Sequence, residues 1–542
     1  MAAGTGTHDN GSYIDLPGSG FQAKGLFPND IINAKHFAGV GDGTTDDILA
    51  IQAAIDYIGT VGRGTLDLGG APYAYEGQIN LVSNLEIRGP GKLKHLDGSS
   101  RLKAVAKSNI WLHGFEIDGD MSSYVAGYTD TLTTHAVWID NCTSVWMDQL
   151  HVHDVLRTSL YVGGGAGATP SDGVWITNCE VHDIGSASDV LTNFGNGPVV
   201  SCGKNIFILN NYVHDIYGTG GINVEGTTLE KRNIHIKNNI IEGVTNSASA
   251  PTSGNGISIL DAVPTLDEHR DFYIEGNKIL SVAGSAIYAN KATNLYIRNN
   301  EVDGTETNGI RLLGNTSIQG LETVVIAGNV IKDFGHDGIV VTNGEKVTVT
   351  NNLISDGQSG SDQGITIVKP TSGSEYVVVI GNRIYNIQTD GMSVSGNNVT
   401  IQNNSFINIG QVGSGLNYAI EASGSGVPLN NKGDISNNYF DDSSGTVSAF
   451  LYAQGDRWAD FTYSNNSIVG TTTPIDMGTS TTVNIVGGYY PAAPDVGTQG
   501  STASWKQGDR VLEDTVTSGG FIGYVCTVAG SPGTWKGYGA IA

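Results

Sequence analysis

Short runs of alternating apolar and polar residues repeat along most of this chain. A typical stretch reads G-I-x-I, a turn, then V-x-I-x-N-N-x-I, then a polar turn ending in glycine, as in GIRLL…TVVIAGNVIKDFGHD and GIVVTNGEKVTVTNNLISDG. Alternation with a period of two, bounded by Gly and Asn turns, predicts short strands with one buried face. One asparagine keeps a fixed register within these repeats: Asn211, Asn239, Asn277, Asn300, Asn329, Asn352, Asn382, Asn404, Asn438 and Asn466. Neighbouring copies lie about 22 to 38 residues apart, a solenoid period. An amide both donates and accepts, so stacked copies can form a hydrogen-bonded ladder inside the fold. The pattern therefore predicts an all-β chain, a parallel β-helix of about thirteen coils. Leu150 and Cys179 hold the ladder slot in the earliest coils, so the ladder is expected to begin at the third or fourth.

The flanks differ. Residues 1–30 are Gly-rich and weakly patterned and read as a leader or linker. Residues 31–104 read as an N-terminal cap with the first coils. There, Ile48, Ile51, Ile55 and Ile58 give an apolar face at helical spacing. Thr44 or Thr45 is the expected N-cap, with Asp46 and Asp47 at the positive end of the helix dipole. GTLDL follows as a short strand. Such a helix can cover the open end of the first coil. Residues 105–487 are the β-helix with its groove. Residues 488–542, after the Pro-containing YYPAAPDVG, read as a small β module for capping, trimerisation or glycan binding.

Composition narrows the function classes. A length of 542 residues suggests several domains, but a solenoid coil contacts only its neighbours and can grow long as one. The formal net charge of −25 disfavours nucleic acid and anionic membranes as partners. The four cysteines, Cys142, Cys179, Cys202 and Cys526, contain no CxxC pair and read as buried thiols. The string MAAGTGTHDNGSY has neither the basic stretch nor the apolar core of a signal peptide, and no apolar run approaches the roughly 18 residues of a membrane span.

The segment Asn33 to Leu68, with GVGDGTTDDILAIQAAID, resembles the opening cap of the pectate-lyase-like superfamily of right-handed parallel β-helices. The tail string GYVCTVAGSPGTWKGYGAI is similar to a C-terminal module of some phage tailspikes and some bacterial β-helix proteins. This resemblance implies a homotrimeric, glycan-cleaving enzyme of the virion tail, acting outside the cell on a bacterial surface polysaccharide and held by other phage tail or baseplate proteins. The superfamily's sharper catalytic strings are missing. GHDG at 335–338 only echoes the Gly-His-Gly of polygalacturonases and reads as a turn.

The site must then be argued from residues. Outward positions of successive coils stack into a groove at about 4.8 Å per coil. The position between the two inward residues of G-I-x-I holds Trp138, Tyr161, Asn223, Tyr288 and Arg311, proposed here to bind substrate. Aromatic faces stack on sugar rings, and carboxylates grip hydroxyls or move protons. Glycoside hydrolysis needs one acid and one base or nucleophile. Glu225 and Asp261 are the first choice, on what read as consecutive coils, with Asp189 and Asp140 in reserve. A β-eliminating lyase acting on a uronic-acid-containing glycan, using Tyr288 and Arg311, is the rival enzyme. A purely adhesive β-helix is the rival outside enzymes. The VHD strings at His153, His182 and His214 read as a stacked structural His-Asp turn, so neither metal nor cofactor is expected.

Overall fold

The computed structural model describes residues 31–123, 135–163, 169–186, 195–226, 230–246, 254–260, 269–314, 321–358, 363–368, 376–396, 398–411, 417–422, 432–442, 447–453, 460–470, 473–476, 510–512, 520–528 and 534–540, with two short N-terminal strands at Tyr13–Asp15 and Gln22–Lys24. The chain divides into two compact units, Met1–Gly254 and Asn255–Ala542.

Each unit is a parallel β-helix. In the first, the strands Ser108–His113, Thr143–Asp148, Ser171–Thr177, Gly203–Leu209 and Lys231–Lys237 pair in parallel on one face. Ile110, Val145, Val174, Ile206 and Ile234 lie in register there and are buried, as the alternating pattern requires. In the second unit the same face runs in parallel from His269–Glu275 to Asp460–Ser464. Among the described residues beyond 105, this face has five strands in the first unit and eight in the second, as many as the coils expected. Two further faces complete each coil.

The asparagine ladder is present. Asn300 donates its main-chain N–H and its Nδ2 to Asn329 Oδ1, both at 2.9 Å, while Asn329 makes the same pair of bonds to Asn352. The second Nδ2 hydrogen reaches a main-chain carbonyl, as from Asn329 to Ile297 O at 3.0 Å. The ladder is buried throughout, and Cys179 N–H donates to Asn211 Oδ1 where it begins. The residue before each rung explains the NN and GN dipeptides. Asn238, Asn299, Asn351 and Asn403 are left-handed with φ of 54° to 56°, and Gly276, Gly328 and Gly381 take their place elsewhere. Only Gly, and Asn or Asp through local hydrogen bonding, enter this region readily.

The N-terminal helix α1, Ile48–Val61, buries Ile51, Ile55 and Ile58 against the first coils. Its N-cap is Asp47 and not Thr44 or Thr45. Those two threonines donate their N–H groups to Asp42 Oδ1 in the preceding turn. The Asp47 carboxylate is turned back onto the N–H groups of Val40 and Gly41, at 2.6 and 3.0 Å. At the C-terminal end, strands Arg510–Leu512, Phe521–Val528 and Thr534–Ala540 form an antiparallel sheet unlike the coils.

Cys142, Cys179 and Cys202 are buried free thiols, and burial pushes Cys179 up to about 12. On the outer side of the first face, Trp146 and Trp175 stack with centroids 4.9 Å apart and planes 6° from parallel. Phe207 and His235 continue this aromatic column at 5.4 and 4.9 Å.

Candidate functional site

Two neighbouring columns on the third face of the first unit hold the sequence candidates. Trp138 pairs with Tyr161, Tyr161 with Val199, and Val199 with Asn223. One step further along each strand lie Asp140, Gly163, Ser201 and Glu225, set by the pairing of Ile139, Val162, Val200 and Val224. Counting I-x-I along the sequence puts Ser201 in the first column, but the strand pairing places it in the second. The strand Tyr212–Val224 bends from the second face onto the third, and its partner shifts register at Gly195 and Asn196.

The second column has a carboxylate at each end; between them the Tyr161 ring lies over Gly163, taking the space a side chain would need, and Ser201 is buried. Asp140 and Glu225 are three coils apart, so their backbones are separated by about 14 Å at the usual strand spacing. That is more than the roughly 5 to 9.5 Å between the two carboxyl groups of a glycosidase. Asp140 therefore stands at the far end of the column, and its side chain would have to lean far to act as the partner of Glu225.

Glu225 is the unusual member. Its carboxylate accepts no hydrogen bond among the described residues, and burial raises its pKa above the ordinary glutamate value, opposed in part by Lys231 and Arg157. A shielded acid that holds its proton above the ordinary glutamate range is suited to give that proton to a leaving oxygen. Tyr161 adjoins it. Burial raises the Tyr161 phenol, as do the charges of Glu225 and Asp140, against a hydrogen bond with Ser201.

The aromatic end is also cationic. His135 stacks on Tyr161 at 4.4 Å, Trp138 meets Tyr161 edge-on at 5.6 Å, and Lys103 lies over the Trp138 ring at 4.2 Å. Arg101 approaches the same ring at 5.2 Å. Burial, helped by Arg157, Arg101 and Lys103, lowers the His135 pKa to about 3, so this imidazole is neutral. Trp138 Nε1 and His135 Nδ1 have no hydrogen-bond partner among the described residues.

The remaining candidates fall elsewhere. Asn223 is fully buried and bonds Asn196 and Thr219, so it organises the coil corner and does not reach substrate. Tyr288 and Arg311 pair in register on the second unit, with Arg311 exposed. Asp261 and Asp189 lie outside the described residues.

Sequence reasoning missed an acidic group in the second unit. Asp337, Gln363 and Asp390 occupy one turn slot in successive coils. Asp337 accepts from Gln363 N–H at 2.9 Å and Thr366 Oγ1 at 3.0 Å, while Asp390 accepts from Tyr418 N–H at 2.7 Å and Gln363 Nε2 at 3.2 Å. Burial, with Glu421 and Asp337 nearby, pushes Asp390 up to about 7. Four satisfied hydrogen bonds make this a structural network. Its signal was the acid in DGI and DGM, where related coils read NGI or QGI.

The family model described as "Right handed beta helix region" matches residues 133–319, 226–377, 265–426 and 318–488. The chain belongs to this right-handed β-helix family. Among curated proteins, it is 26% identical over 437 residues to the pre-neck appendage protein of Bacillus phage phi29, covering 72% of this chain and 48% of that protein. The chain thus spans about half the length of the phage relatives it matches. It is 23% identical over 435 residues to the uncharacterized protein YclG of Bacillus subtilis strain 168, covering 69% of this chain and 70% of that one. Among solved structures, pre-mature bacteriophage phi29 gene product 12 is 19% identical with a TM-score of 0.48, covering 82% of this chain and 56% of that one. No helix among the described residues is long and apolar enough to cross a membrane.

Proposed function

We propose that this protein is a phage tail depolymerase that cleaves glycosidic bonds of a bacterial capsular or other surface polysaccharide by hydrolysis. The observation that carries this reading is the shielded Glu225 carboxyl, which accepts no hydrogen bond among the described residues and whose charge is felt by the partly buried Tyr161 phenol. In the proposed reaction Glu225 is the general acid that protonates the leaving glycosidic oxygen. Trp138 and Tyr161 stack on sugar rings, and Asp140 holds hydroxyls at the far end. Hydrolysis by this route also uses a second carboxylate, as nucleophile or to activate water. Lys103, Arg101, Arg157 and Lys231 cluster around the site in a chain of net charge −25, which favours a glycan bearing anionic groups. The phage appendage relative and the tailspike-like segments of the sequence support placement on a virion tail, as a homotrimer.

The test is direct. Glu225→Gln should abolish shortening of the host polysaccharide, read by size-exclusion chromatography, while circular dichroism stays as in the wild type. Full cleavage by Glu225→Gln overturns the assignment. Absorbance of the products separates the rival lyase, favoured by the side-by-side Tyr288 and Arg311, because β-elimination leaves a conjugated double bond and hydrolysis does not.

A further inference from the structure

The second face of the first unit gathers histidines that the proposed cleavage does not use. One outward column runs Glu116, His151 and Glu180 in successive coils, and the neighbouring column brings His153, His182 and His214 into register. Parallel coils stack each side chain on its counterpart. The His153, His182 and His214 rings lie within 8° of parallel, with centroids 5.1 and 4.8 Å apart.

Each of these three rings is fixed from behind. His153, His182 and His214 each place Nδ1 2.7 Å from the carboxylate of the following aspartate, Asp154, Asp183 and Asp215. Those aspartates are left-handed, with φ of 55°, 51° and 52°, which turns the carboxylate back toward the ring. At His182 the carboxylate at Nδ1 keeps the proton there and leaves Nε2 with its lone pair toward His151. That is the arrangement that orients a metal-ligating histidine and raises its basicity.

The Nε2 atoms then meet other donors. His182 Nε2 is 2.7 Å from His151 Nε2, and a Glu180 oxygen lies with both inside a sphere of ligand atoms no more than 4.8 Å apart. Glu116 is already engaged by Lys92 at 2.6 Å and His153 at 2.8 Å. Glu180 is exposed and, among the described residues, its ion-pair approach is a loose one to His214 Nε2 at 3.5 Å, so its side chain can turn.

We propose that His151, His182 and Glu180 form a binding site for a divalent transition-metal ion of the zinc type. Two imidazoles and one carboxylate are a donor set that suits zinc or cobalt and not calcium, which prefers oxygen ligands throughout. Zn–N bonds of about 2.0–2.1 Å put two nitrogens on one tetrahedral ion about 3.3 Å apart, so the two rings need part only slightly from their 2.7 Å contact. The ion takes the place of the proton the two Nε2 atoms share. Three protein ligands leave a fourth position toward solvent.

The experiment is calorimetric titration of the chelator-treated full chain with zinc, cobalt and calcium chlorides separately. Zinc and cobalt should bind at one saturable site and calcium should not. His151→Ala and His182→Ala should each weaken zinc binding by about tenfold or more. Glu180→Gln changes an exposed side chain, keeps the fold, and should also weaken binding. His235→Ala, on a different face, should bind zinc as the wild type does. Cobalt-loaded protein should show the visible bands of a tetrahedral site, lost in His182→Ala. Absence of saturable zinc binding, or wild-type affinity in Glu180→Gln and both histidine variants, overturns the proposal.

Discussion

Asn352 and Asn382 are joined twice: the main-chain N–H of Asn352 donates to Asn382 Oδ1 at 3.0 Å and its side-chain Nδ2 donates to the same oxygen at 2.9 Å. Asn352 Oδ1 in turn accepts two bonds from Asn329. One amide thus satisfies polar groups of the coils on both sides. Asn352→Leu removes the acceptor for two buried donors and leaves Asn382 Oδ1 with fewer partners. It should cost roughly 2–4 kcal/mol, since each buried unsatisfied group costs about 1–3 kcal/mol. Denaturant unfolding of the variant measures the loss.

The position ahead of each rung makes a separate prediction. Asn238 is exposed and left-handed at φ 55°. Asn238→Gly should be tolerated within a few tenths of a kcal/mol, whereas Asn238→Val should destabilise by about 1–2 kcal/mol. A pair of thermal melts compares them. Equal stability of the two would mean that backbone handedness does not select the residue here.

Cleavage should depend on pH through Glu225. Its raised pKa keeps the carboxyl protonated above the ordinary glutamate range. As general acid it is active when protonated, so kcat/KM should fall as pH rises through that raised value. Glu225→Gln should remove this alkaline limb together with about 100-fold or more of the rate.

Asp390 gives the fold its own pH dependence. Its folded pKa, about 7, lies above the unfolded 3.8, so the folded state holds the proton more tightly. Stability from this group is therefore full below about pH 4 and lost as pH rises toward about 7. The loss is at most about 4 kcal/mol at pH 8. Asp390→Asn keeps the shape without the charge. Its melting temperature relative to the wild type should rise between pH 5 and pH 8.

Trp138 is the proposed stacking surface at the aromatic end of the site. Trp138→Ala removes a stacking surface and its cation–π contact with Lys103. Glycan affinity should fall about tenfold, given about 1–2 kcal/mol for such contacts. Titration of Glu225→Gln protein with intact polysaccharide measures binding without turnover.

Period and register made the fold readable. The ladder asparagines, the apolar face of α1 and the buried alternating residues are local signals that the parallel coils repeat faithfully. The site was less readable because it lies where repetition fails. Asn223 shares its sequence slot with Tyr161, yet the bent strand Tyr212–Val224 turns its amide into the corner. Asp390 sat in a DGM string that reads as an ordinary turn, and only its burial in the folded coils, with Glu421 and Asp337 nearby, reveals its altered proton affinity. His151 lies one alternation before the VHD histidine His153, so its contact with His182 depends on coil stacking that single-strand reading does not contain.

The Trp146–Trp175 pair makes the first unit visible to light. Two indoles 4.9 Å apart and 6° from parallel couple their electronic transitions and give a near-ultraviolet dichroism that neither ring has alone. Both belong to the unit that carries Glu225 and the histidine face. Loss of that coupled signal on heating reports the parting of two adjacent coils, and comparison with the far-ultraviolet melt tells whether these coils open before the rest of the solenoid.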